Sequence, residues 1–327
     1  MEVKKRALII GINGQIGSYL CEILHDYQVY GLIRTIPANP VMYVTYVVCD
    51  LSDETKLKNI IRNINPDEIY NMAAQSDAVI SIAEPEYTMW VNANIVVTLC
   101  EIVKELGIKL FQASSMELYK GLDRETINEK GLEFYPKNPY AIAKLAAFWT
   151  VKYYRDQLGC YVSSGIISNA ESPRRNIKYV TRKIAAGVRK TLTDPNYVIK
   201  IGNINAERDW IHAYDVAMAA WLSLQQSTPG DYVISLGTNH TVREFLERSF
   251  RKADINLIWK GLRDSIEEIG IDRDTERVLV TVDPSLFRTY EIAQKKTAIG
   301  DNTKLKSIGW KPKYDIDDII VELLKCE

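Results

Sequence analysis

Through the first half of the chain, short apolar runs alternate with stretches of helical spacing. The runs are "RALIIG", "VYGLI", "YVTYVV", "DEIYNMA", "IKLFQAS" and "YVSSGIIS". Helical patterns fall between them: from Gln15 to about His25, over "ETKLKNIIRNI", over "PEYTMWVNANIVVTLCEIVKEL", and from about Asn138 to Gln157. Strands this continuously apolar must be covered on both faces, and strands separated by helices can run parallel because each helix carries the chain back. The expected fold is α/β, a doubly wound parallel sheet. Pro139 fits the start of the last helix, where its missing N–H would be unpaired anyway.

Beyond about Asn169 the alternation stops. Arginines concentrate in "SPRRN", "VTRK" and "ERDW", and short helices and strands mix. Residues 1–168 therefore read as the sheet domain, and residues 169–327 mainly as a smaller mixed α/β lobe, partly interleaved with it. The C-terminal "DIDDIIVELLK" reads as an amphipathic closing helix. A formal net charge of −1 over 327 residues argues against a nucleic-acid binder. Cys21, Cys49, Cys100, Cys160 and Cys326 are odd in number and scattered, and His25, His212 and His240 lie far apart. Neither a disulfide framework nor a metal site is expected. The apolar run of "MEVKKRALIIG" is too short for a signal or a membrane span, so the expected location is cytoplasmic, off the membrane.

Gly11, Gly14 and Gly17 follow the first strand and open the first helix. Glycines there allow a tight turn and let N–H groups approach a pyrophosphate at the helix N-terminus, as in a Rossmann dinucleotide site. After the second strand, NAD sites place an acid for the ribose hydroxyls; this chain has Arg34, which would attract a 2′-phosphate. That favours NADP over NAD, the alternative being that Arg34 is a solvated surface residue. Asp50 in "VCDLSD" suits either the adenine amino group or the cap of the next helix.

"PYAIAK" places Tyr140 and Lys144 on one helical face. A nearby ammonium lowers a phenol toward use as a base. The YxxxK spacing recurs at Tyr179 and Lys183, but only Tyr140 follows a strand ending in Ser114, Ser115 and Glu117, so Tyr140 and Lys144 are the catalytic candidates. A carboxylate at the end of a buried strand is costly unless it is used, which singles out Glu117.

Together Gly11, Gly14, Gly17, Ser115, Tyr140 and Lys144 resemble an extended short-chain dehydrogenase/reductase. More narrowly, the chain resembles the GDP-mannose 4,6-dehydratase family nearly end to end, in "GINGQIGSYL", "PDEIYNMAAQS", "PEYTMWVNA", "QASSMELY", "YPKNPYAIAKLAAFW", "ESPRRN", "IGNINAERDWIHAYD" and "VDPSLFRTYE". The resemblance implies catalytic roles for Ser115, Glu117, Tyr140 and Lys144. It implies NADP contacts at Gly11, Asn13, Gly14, Gln15, Ile16, Gly17, Arg34, Asp50, Leu51, Ala73, Ala74, Tyr140 and Lys144. It implies nucleotide-sugar contacts at Ser76, Asn169, Lys183, Arg208, Arg288 and Glu291, with Arg174 and Arg175 serving the cofactor phosphate or the substrate. Clustered arginines in a near-neutral chain suit a diphosphate; salt bridges on a mixed-charge surface would explain them too. The chain departs from the family at Asn13, Ile16, Asp77, Met116 and Ile211. "TIPANPVMYVT" is also shorter than the family's loop. The resemblance implies a homodimer built from helices Pro85–Leu106 and Asn138–Gln157, rich in Trp90, Phe148 and Trp149; the shortened loop leaves a tetramer open.

The activity so implied converts GDP-mannose to GDP-4-keto-6-deoxymannose. Tyr140 takes the C4 hydroxyl proton as hydride passes to NADP+. Glu117 removes the acidified C5 proton, the C6 hydroxyl leaves as water with acid from Glu117 or Ser115, and hydride returns to C6. A 4-ketosugar reductase or an epimerase of the same superfamily would need no C5 base at Glu117. A non-catalytic NADP-sensing protein would commonly lose the tyrosine or lysine, and both are kept here.

Overall fold

The computed structural model describes residues 4–263, 265–286 and 297–326. Seven parallel strands form its main sheet: β1 (Arg6–Ile10), β2 (Gln28–Ile33), β3 (Val44–Val48), β4 (Glu68–Asn71), β5 (Lys109–Ser115), β6 (Val162–Ile167) and β7 (Asp231–Ile234). Their spatial order is β3-β2-β1-β4-β5-β6-β7. The doubly wound parallel sheet expected from the alternation is present. Its order reverses between β1 and β4, where Ile10 pairs with Leu32 on one side and Asn71 on the other. In such sheets ligands bind at the carboxyl ends of the strands beside this reversal.

Successive residues of β1 face opposite ways, and both faces are buried. Ala7 and Ile9 join a core with helices Gln15–Ile23 and Ala213–Leu224. Leu8 and Ile10 join another with Glu54–Ile64, Ile95–Leu106 and Pro139–Asp156. Asp53 caps Glu54–Ile64 by accepting from Lys56 N at 2.9 Å, and Asn138 caps Pro139–Asp156 by accepting from Ala141 N at 2.8 Å.

The stretch expected as one long helix is interrupted. An α-turn over Pro85–Met89 passes through a π-turn at Trp90–Asn94 into Ile95–Leu106. The extra residue turns Asn92 inward, where its amide accepts from Gln75 N and donates to Gln75 O, both at 2.9 Å. Such π-turns often occur next to functional sites, and this one fixes the loop after β4. The helical aromatics also divide differently from expectation: Phe148 is core, Trp90 is half-buried and Trp149 is exposed.

In the second half, Ala213–Leu224 and Asp231–Ile234 return to the main sheet. The lobe has its own four-stranded sheet, ordered Leu257–Lys260, Ile269–Asp272, Val278–Val282 and Ile199–Ile201. Helices Val180–Thr193, Val242–Arg251 and the closing Ile316–Lys325 pack on it around Ile184, Phe245, Leu279 and Ile320. No helix among the described residues is long and apolar enough to cross a membrane.

Candidate active site

The glycine turn is built for close approach. Gly11 has φ +85°, and a Cβ on it would lie 2.8 Å from Ala73 N; a Cβ on Gly17 would lie 2.3 Å from Gly11 O. Gly14 caps the first helix with no side chain, so the first N–H groups of that helix are left without a capping side chain. This narrow cradle fits a dinucleotide pyrophosphate. Asn13 is exposed beside it, the backbone of Ala73 after β4 closes on Gly11, and Ala74 next to it is half-buried. Gln15 bridges to the lobe, donating to Ala170 O at 2.9 Å and accepting from Ser172 Oγ at 3.0 Å. Ile16 packs against the sheet core.

Arg34 is exposed at the end of β2, within electrostatic reach of Asp50. Of the two readings of Asp50, the helix cap is excluded, because Asp53 is the cap. Asp50 accepts instead from Ser52 N at 2.9 Å, and its bonds from Ser52 hold its carboxyl below the ordinary range. Leu51 beside it is half-buried. Ser76 is exposed after β4. Asp77 caps the short helix Ala78–Ala83 and pairs with Lys178 at 2.5 Å, which gives this departure from the family a structural role.

At the end of β5 the backbone turns into a 3₁₀ helix, Met116–Tyr119, capped by Ser115, whose Oγ accepts from Glu117 N at 3.2 Å. Glu117 Oε1 accepts from Lys120 Nζ at 2.7 Å and Oε2 from Asn138 Nδ2 at 3.2 Å. Asn138 also caps the helix whose first turn carries Tyr140, so one amide fixes the carboxylate and the tyrosine together. Burial opposes ionisation of Glu117, but Lys120, Arg208 and Asn138 outweigh it and hold the carboxyl below its usual value.

Lys144 is buried, and its Nζ donates to Ala113 O at 2.8 Å, 5.9 Å from the Tyr140 ring centre. Desolvation lowers its ammonium to about 8. Tyr140 does not show the lowered phenol expected from sequence. Burial pushes it up to about 12, opposed by a hydrogen bond with Ser115, and the carboxylate of Glu117 adds to the rise. The reason is burial, which outweighs the bond with Ser115, while Lys144 Nζ is spent on Ala113 O.

Asn169 and Arg208 line the same cleft as Ser115 and Glu117. Lys183 is exposed on Val180–Thr193. Arg288 and Glu291 lie outside the described residues. The two arginines of "ESPRRN" separate. Arg174 is exposed and held by Ser18, Glu22 and the Tyr19 ring of the first helix. Arg175 turns inward, pairs with buried Glu171 at 2.9 Å and covers the Tyr179 ring at 3.9 Å. Both Arg175 and Tyr179 act electrostatically on Tyr140. The second YxxxK tyrosine therefore stands near the first, but as the cap position of another helix.

Sequence reasoning missed Lys120, Asn138 and Glu171. The Asn-Pro-Tyr order at a helix start was the available signal for Asn138; Glu171 had none. Burial raises Glu171 to about 7 against the charge of Arg175 and a hydrogen bond from Thr181. Among the described residues no cluster of His, Cys, Asp or Glu could hold a metal ion.

The sheet and lobe resemble solved nucleotide-sugar enzymes. UDP-glucose 4-epimerase of Thermus thermophilus superposes with a TM-score of 0.78 at 22% identity, covering 97% of each chain. dTDP-glucose 4,6-dehydratase of Bacillus anthracis superposes at 0.75 with 20% identity, covering 98% of this chain and 96% of that one. At these identities the likeness shows the fold. Sequence relatives are nearer. The human GDP-mannose 4,6 dehydratase is 38% identical over 98% of this chain and 91% of its own length. That of Vibrio cholerae is 36% identical over 98% and 93%, and that of Dictyostelium discoideum 37% over 99% and 96%. The family model described as GDP-mannose 4,6 dehydratase matches residues 8–323, and with that span and those relatives this chain belongs to the GDP-mannose 4,6-dehydratase family.

Proposed function

We propose that this chain converts GDP-mannose to GDP-4-keto-6-deoxymannose, with NADP as its bound and regenerated cofactor. The observation that carries this reading is Glu117: an ionised carboxylate bonded to the amide that caps the Tyr140 helix, in a cleft shared with Asn169 and Arg208. A reductase or epimerase has no use for such a base.

Gly11, Gly14 and Gly17 would cradle the cofactor pyrophosphate, and Arg34 would face a 2′-phosphate. When bound, the nicotinamide would supply a hydride acceptor that is regenerated within each cycle. Ser115 holds the Tyr140 hydroxyl, and Tyr140 takes the C4 hydroxyl proton. The 4-keto group acidifies C5. Glu117 takes the C5 proton and then gives it to the departing C6 hydroxyl, which leaves as water; as hydride reaches C6, Tyr140 would return its proton, open to exchange with solvent, to C5 and so reset itself. Arg208 and Lys183 would hold the diphosphate, keeping C5 against the carboxylate.

The exposed outer faces of Pro85–Leu106 and Pro139–Asp156 carry Tyr87, Val97, Ile142, Trp149 and Tyr153. A row this apolar supports burial in a homodimer. All five cysteines are free, which suits a reducing cytoplasm.

The test separates the two half-reactions. Glu117→Gln keeps shape and should still oxidise C4, with elimination reduced about 10²–10⁴-fold. Tyr140→Phe should show no reduced cofactor at 340 nm. Wild-type product formed in deuterated water should carry deuterium at C5. Near-normal turnover and C5 labelling by Glu117→Gln would remove the dehydratase role of this carboxylate.

A further inference from the structure

Glu117 meets a cation from its own turn. The 3₁₀ helix after β5 brings Lys120 back over residue 117, with Nζ 2.7 Å from Oε1. The Lys120 side chain is only 9% exposed and that of Glu117 25%, so the pair is largely shielded from water. Oε2 is held more loosely, by Asn138 at 3.2 Å. We propose that Lys120 is a positioning residue for the elimination: its ammonium pins one oxygen of Glu117 and leaves the other to exchange a proton with the sugar. This rests on the reading of Glu117 as the C5 base.

Among the described residues, the charged and titratable groups facing Glu117 are Lys120 from its own turn, Arg208 from the strand Glu207–Arg208, and Tyr140 from Pro139–Asp156. Lys120 bonds directly to the carboxylate. After burial, which works the other way, its charge and its hydrogen bond are the first two influences on the ionisation of Glu117, ahead of Arg208. The consequence follows from proton balance. Glu117 takes the C5 proton, becomes a carboxylic acid, passes that proton to the C6 hydroxyl and is a carboxylate again as water leaves. Lys120 keeps its own protons throughout. Its charge favours the carboxylate at both ends, so the base is ready at working pH and the acid formed from it is a willing donor.

The experiment follows turnover of GDP-mannose and C5 deuterium incorporation against pH in Lys120→Met, with Lys120→Gln as a second neutral variant should the first fail to fold. Lys120→Arg is the conservative control, and Glu117→Gln the control for the base. The acid limb of turnover should move up by about one pH unit in the neutral variants. Below that limb their rates should fall roughly tenfold. The transient 340 nm signal of C4 oxidation should not change, and Lys120→Arg should restore the limb. A loss of rate equal at every pH, or an unmoved limb, with Glu117→Gln inactive in elimination, overturns the role of Lys120 alone. Normal C5 labelling by Glu117→Gln overturns the base itself.

Discussion

Lys144 should be destabilising in the protein without nucleotide, and replacing it should show this. The side chain is 2% exposed, and its hydrogen bond in the described structure is to Ala113 O. Desolvation sets its ammonium at about 8 against an ordinary 10.5, and each pH unit between folded and unfolded values is about 1.4 kcal/mol. The folded state therefore binds this proton more weakly than the unfolded chain by about 3 kcal/mol. For a lysine with a depressed folded value, the penalty is full below about 8 and fades as pH rises through 10.5. Lys144→Met fills similar volume without charge. It leaves Ala113 O unpaired, costing about 1 kcal/mol, so a net gain of about 2 kcal/mol is expected at pH 7. The assay is urea unfolding of nucleotide-free wild type and variant at one protomer concentration, at pH 7 and again near pH 10. The variant should be more stable at pH 7, lose that advantage at high pH, and be catalytically dead. A variant no more stable at pH 7, or an advantage independent of pH, would refute the reasoning. The confirmed pattern would be a site group kept at a cost to stability.

Arg34→Ala should weaken NADP binding by about 1.5–3 kcal/mol, the range for a charged hydrogen bond, and NAD binding much less; equal loss by calorimetry removes the 2′-phosphate role. Light scattering at micromolar concentration should give the mass of two chains, and a monomer would leave Tyr87, Trp149 and Tyr153 without the cover assigned to them. Gly17→Ala puts a Cβ 2.3 Å from Gly11 O, so cofactor binding should fall below detection by fluorescence titration while Tyr140 and Lys144 stay in place; unchanged affinity would mean that the turn yields.

Local pattern was enough for the elements that carry their own instructions. The helix read over "ETKLKNIIRNI" is Glu54–Ile64, because it carries an apolar stripe and is bounded by an Asp53 cap at its start and a left-handed Asn65 at its end. Pro139 after Asn138 marks a helix start by local sterics, and the glycine turn announces itself through the positive φ of Gly11. The same locality singled out Tyr140 and Lys144 as candidates and marked the end of β5. What depends on contacts between distant residues was decided only in three dimensions. The π-turn at Trp90–Asn94 exists because Asn92 reaches Gln75, and β7 joins the sheet beside β6 across some sixty intervening residues. Phe148 lies inside and Trp149 outside because one helical step separates core from surface. The chemistry divides the same way. Residue types named Glu117 as a carboxylate worth explaining, but its ionisation comes from Lys120, Arg208 and Asn138, which three different segments bring to it. Tyr140 stands high and Lys144 low because burial, a property of the packed fold and not of the spacing between them, outweighs their proximity.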